Sequence, residues 1–135
     1  MSNIKVTISG RDIKVADGYE KPSAGDVNTC LVSFTIEGGV LLELPNKRVT
    51  FYSRAGSVTL DYADELQIPW EVLVNAGALY LTLIGYDTNG NEVARTHSMI
   101  YPIEIAKAGL YEGTEPTQPT LDVVSRIDNL ASTPM

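Results

Sequence analysis

From Ile4 to Ile105 the chain runs mostly in alternation, apolar then polar, with Gly, Pro and Asn between the runs. Ile4, Val6 and Ile8 alternate with Lys5 and Thr7. Successive strand side chains point to opposite faces, so this predicts a half-buried strand. Ser9 to Asp12 turns the chain, and Ile13 to Val15 pairs back. Residues 16–27 carry Asp17-Gly18, Lys21-Pro22 and Gly25-Asp26, which is loop chemistry. Asn28 to Glu37 resumes the alternation, with Cys30, Val32, Phe34 and Ile36 on one face. Gly38-Gly39 signals a hairpin-type turn. An apolar run over residues 40–44 is ended by Pro45-Asn46. Val49, Phe51 and Ser53 share a face of the next strand, Arg54 to Gly56 turns, and Val58, Leu60 and Tyr62 continue the pattern.

The stretch around which the rest is arranged is Ile68 to Tyr86. Pro69 suits the first turn of a helix, where its missing N–H costs nothing. Trp70, Val72, Leu73 and Val74 give that turn an apolar side, so Trp70 is expected to be buried. Gly77 is expected to stop the turn, because glycine accepts the left-handed cap conformation. Leu79, Leu81 and Leu83 then share one strand face, with Tyr80, Thr82 and Ile84 on the other. Asp87 to Gly90 reads as a hairpin loop with Asn-Gly at its tip. A last strand is expected from Met99 to Ile105, with Pro102 placing it at an edge or a bulge. About seven to nine short strands at even spacing predict an all-β fold. The architecture expected is an antiparallel β-sandwich, immunoglobulin-like in broad outline, with a barrel as the other closure.

The pattern changes at Ala108, which divides the chain into a β-sandwich domain over 1–108, a Pro/Thr-rich linker over 109–119 and a short helix over 120–131. Thr120 offers an N-cap, and Asp122 sits in the first turn, where the helix dipole favours it. Val123, Val124, Ile127 and Leu130 form an apolar stripe and are the expected assembly interface. A helix this short is not stable alone in water. It docks back on the sandwich, begins a self-associating coil, or frays; the spacing allows all three.

With 135 residues the chain favours one domain. Its net charge of −7 argues against a nucleic-acid surface and against an anionic membrane surface. Residues 111–135 hold four acids and one base, so acidity is densest there. No apolar signal core follows Met1, and no long apolar run offers a membrane-spanning helix; synthesis in the cytosol is expected.

Candidate chemistry is sparse. Cys30 is the single cysteine and His97 the single histidine. Disulfides within the chain and multi-histidine metal sites are thereby excluded, and a small buried hydrophobe and a structural histidine are the expected roles. Asp87 to Glu92 faintly resembles a calcium loop, but its glycine comes fourth, so a hairpin turn is expected instead. No phosphate-binding glycine loop occurs, and no catalytic residues, cofactor or metal are assigned. Seven tyrosines against one tryptophan and two phenylalanines leave one open feature. Half-buried strand tyrosines are the plain expectation, and a row of exposed tyrosines stacking on sugar rings is the alternative. Tyr80 and Tyr86 share a strand parity, which allows them to face the same side.

The order of pieces carries a resemblance. Lys47 to Gly56 comes first, then Ile68 to Leu73, then Gly77 to Gly90 with its Asp-Thr-Asn-Gly hairpin, then the linker and Thr120 to Ile127. Together these resemble the N-terminal domain of phage baseplate upper proteins of Gram-positive siphophages and prophages, over most of residues 28–131. The resemblance implies a non-enzymatic virion structural adaptor that docks on the tail-tip core. A following helix, often trimeric in that family, would present a receptor-binding or fibre region. Its implied partners are other phage tail and baseplate proteins, with a homotrimer through the C-terminal helix, and no residue-level site carries over. The sequence stops at Met135, soon after the helix begins, as either a piece of a longer chain or a short member that recruits its receptor-binding partner separately. A carbohydrate-binding β-sandwich module is the alternative function, which a buried Trp70 would weaken.

Overall fold

The computed structural model describes residues 2–109. The Thr120–Ala131 helix, its stripe of Val123, Val124, Ile127 and Leu130, and nearly all of the linker lie outside the described residues. The described part is built mainly from strands arranged in two sheets.

The first sheet has the order β2–β1–β3–β6, from β1 (Ser2–Ser9), β2 (Asp12–Val15), β3 (Cys30–Ile36) and β6 (Glu65–Gln67). The second has the order β5–β4–β7–β8, from β4 (Asn46–Ser53), β5 (Gly56–Asp61), β7 (Gly77–Tyr86) and β8 (Glu92–Arg95). β9 (Ile103–Ile105) pairs beside Gly77–Leu79 of β7. Alternation dictates the faces. Ile4, Val6 and Ile8 from β1 and Cys30, Val32 and Phe34 from β3 meet Val49, Phe51, Leu79, Leu81, Leu83 and Ile103 from the second sheet in one buried cluster. Each large side chain so buried contributes about 1.5–3 kcal/mol relative to an exposed one.

Most pairings are antiparallel, but β1 and β3 run parallel, from Ser2 beside Cys30 to Ile8 beside Ile36. Parallel neighbours cannot be joined by a tight turn. The connection is β2 and the loop over 16–29, which crosses one end of the sandwich and is fastened there. Ala24 N–H donates to the Ala106 carbonyl (2.8 Å), Gly25 N–H to that of Leu73 (2.7 Å), and Ala106 N–H to that of Pro22 (2.8 Å).

Several local expectations are corrected. Gly38-Gly39 does not make a hairpin: β3 lies beside β1 and β6, and both glycines, at φ of 79° and 88°, lead into α1 (Val40–Glu43). This short helix inserts Leu41 into the core. The turn after Pro69 is a 3-10 turn (Trp70–Val72) that ends at Leu73, whereas Gly77, at φ of 131°, opens β7. Met99 to Pro102 is not strand; only Ile103–Ile105 is, and it is an edge. Trp70 is half exposed rather than buried, and Val74 is exposed as well. So short a turn turns one side inward, and Val72 and Leu73 occupy it. Among the described residues no helix is long and apolar enough to cross a membrane.

Candidate binding face on the second sheet

The phase of β4 and β7 decides what the outer face of the second sheet displays. Val49 and Phe51 point inward, so Arg48, Thr50 and Tyr52 point outward. Leu79, Leu81 and Leu83 point inward, so Tyr80, Thr82 and Tyr86 point outward. Register then brings Tyr52 opposite Tyr80, Thr50 opposite Thr82, and Asn46 opposite Tyr86. The Tyr52 and Tyr80 rings stack at 5.2 Å between centroids, 17° from parallel. Beside them the Thr50 and Thr59 hydroxyls share a hydrogen bond of 2.8 Å. At the far end the Arg48 guanidinium lies 5.6 Å from the Tyr86 ring centre and 3.5 Å from the Asp61 carboxylate.

This end opens into a cleft of about 470 Å³ lined by Asn46, Lys47, Arg48, Asp61, Tyr62 and Tyr86. Lys47 lies 5.8 Å from the Tyr62 ring centre and donates to the Leu44 carbonyl at 2.9 Å. The Tyr62 hydroxyl donates to Asp64 at 3.0 Å. Burial, reinforced by that hydrogen bond, pushes the Tyr62 phenol up to about 12. Tyr62 is therefore a neutral donor across the physiological range and not a base. Two aromatic rings, two cations, a carboxylate and an amide in one concavity suit polar, ring-shaped ligands, through stacking and hydrogen bonds.

The other sequence candidates sit apart from this face. Asp87 accepts from the N–H groups of Asn89 and Asn91, both at 2.9 Å, closing the hairpin on itself. The Asn91 N–H, then that of Asn89, hold its carboxyl below the usual aspartate range against a smaller desolvation effect. Its oxygens serve the turn, and no group of three or more His, Cys, Asp or Glu among the described residues is placed to hold a metal ion. His97 is exposed, with Nδ1 3.0 Å from Asp12 and its N–H on the Arg11 carbonyl, bridging the two sheets at one end. Cys30 is buried in the core, and burial pushes its thiol up.

Sequence reasoning missed one surface feature. Ile100 and Tyr101 are 82% and 83% exposed, in a loop held between buried Met99 and buried Ile103. The Met99 sulfur accepts from the Leu81 N–H at 3.2 Å, which fixes the loop against β7. The signal available was Pro102, which precludes an ordinary central strand there.

The fold and this face define a two-sheet β-sandwich with an aromatic outer sheet and an apolar loop at its edge. No family model, no curated protein and no solved structure matches the chain.

Proposed function

We propose that this chain is a non-enzymatic structural adaptor of a phage tail baseplate. The sandwich, immunoglobulin-like in broad architecture, docks on the tail-tip core. The C-terminal helix presents a receptor-binding or fibre region and gathers copies through Val123, Val124, Ile127 and Leu130. Besides the sequence resemblance, the observation that carries this reading is the Ile100–Tyr101 loop. Two large side chains are held in solvent by a backbone anchored on both sides. Such a pre-ordered aromatic and aliphatic pair is what a protein partner's pocket takes up with little loss of entropy. The test is immunogold labelling of phage particles induced from the source strain, with serum raised against this chain. Gold at the tail tip is the expected result. Particles without label, in cells shown to express the antigen, would overturn the proposal.

A second reading, a carbohydrate-binding module, is favoured by the Tyr52–Tyr80 pair and the Tyr86 cleft on one sheet face. The exposure of Trp70 removes the objection that the sequence raised against it. Saturable binding to a cell-wall polysaccharide, lost in Tyr86→Ala, would select this reading.

A further inference from the structure

β5 is an end strand of the second sheet, with β4 as its neighbour there. The hydrogen bond from Tyr62 N–H to the Lys47 carbonyl (3.0 Å) sets the phase of the hairpin. Leu60, Val58 and Gly56 turn their backbone groups toward β4, whereas Ser57, Thr59 and Asp61 turn theirs away from it. Among the described residues no further strand takes up those outward groups. Edge strands are commonly blunted by Lys, Pro or a bulge. β5, with the sequence GSVTLD and an unbroken register, has none of these.

We propose that the occupant of this edge is a second copy of the chain, paired β5 to β5 about a two-fold axis at Thr59. The strand is complementary to itself in that register. Thr59 meets Thr59 of the second copy, Ser57 meets its Asp61, and Val58 meets its Leu60. All three outward residues become hydrogen-bonded pairs, about six backbone bonds in all. Each Asp61 carboxylate gains a serine hydroxyl, and no charge within the strand pair faces its like. Val58 and Leu60, half-buried against the core in one copy, carry the apolar inner face across the seam. The 3-10 turn adds an anchor. It packs against β5 and is held from the inner face, where the Ser53 hydroxyl donates to the Val72 carbonyl at 2.8 Å. Trp70 on that turn stays half exposed beside the pairing strand. Exposed tryptophan at such a place is typical of interface hot spots. A net charge of −7 on each copy opposes association, so the dimer strengthens as salt screens it.

This inference does not rest on the tail-adaptor reading. The test is the mass of the full chain by sedimentation equilibrium over a concentration series, with the emission of Trp70, the chain's single tryptophan, read alongside. The expected result is a mass rising toward twice 14.6 kDa, with Trp70 emission moving to shorter wavelength. In Thr59→Lys, two lysines meet at the axis, and the midpoint shifts roughly tenfold or more to higher concentration. Thr59→Pro is the second variant; it removes an N–H that the β4 ladder does not use. Circular dichroism matching the wild type checks that each variant is folded. A monomer throughout, a trimer, or a dimer equally stable in a folded Thr59 variant would overturn the proposal.

Discussion

Gly85 tests how α1 seals the sandwich. It lies on the inward face of β7, and the space where a side chain would stand is filled by Leu41 and Leu44, on and just beyond α1. A methyl group built at Gly85 overlaps the Leu44 Cδ1 methyl and lies 3.1 Å from Leu41 Cδ2 and 3.3 Å from Leu44 Cβ. The Gly85 backbone is not in the left-handed region, so the cost of Gly85→Ala is steric. Leu44 is only half-buried and can rotate outward; Leu41 is fully buried and cannot. Overpacking of this kind costs about 1–3 kcal/mol. Replacing a strand glycine by alanine returns about 0.5–1 kcal/mol of chain entropy. The net expectation is a loss of about 1 kcal/mol in urea unfolding followed by far-UV circular dichroism. Leu44→Ala should relieve the overlap, so the double variant should be more stable than the sum of the two single losses, by about 1 kcal/mol. Additive losses, or a neutral Gly85→Ala, would refute the reasoning that close approach of α1 requires glycine here.

Asp87→Asn should flatten the acid limb of thermal stability. The folded-state carboxyl of Asp87 is held low, so its contribution is complete above the ordinary aspartate value of about 4 and is lost as pH falls through the folded value. Melting temperatures between neutral and acid pH measure the slope; an unchanged slope would count against a role in the hairpin. Cys30 should react with a thiol reagent only as fast as the sandwich opens, because its side chain is buried and its thiol is pushed up. Labelling that does not slow as stability is raised would contradict that placement. Tyr80→Ala should cost about 0.5–1.5 kcal/mol beyond the area it uncovers, through loss of the stack with Tyr52. A double-mutant cycle with Tyr52→Ala isolates that coupling, and zero coupling would deny the stack any stabilising role.

What the sequence by itself determined is which side chains share a face. The two-residue period of Ile4, Val6 and Ile8, of Cys30, Val32 and Phe34, and of Leu79, Leu81 and Leu83 reads directly as inward positions, and all nine are buried. The hairpins at Gly10, Gly56 and Gly90 were legible for the same local reason, since each brings glycine to a turn with positive φ. Which strand lies beside which is a different matter. Alternation says nothing of the neighbour across the ladder, so the parallel pairing of β1 with β3 came only from the assembled sheet. The aromatic face divides in the same way. Parity alone placed Tyr80 and Tyr86 on one side, but the stack on Tyr52 and the approach of Arg48 to Tyr86 depend on the register between β4 and β7. Trp70 fails from sequence because a three-residue turn has no period long enough to say which side faces in. Tertiary packing chose Val72 and Leu73, and left the largest apolar side chain of the turn in water.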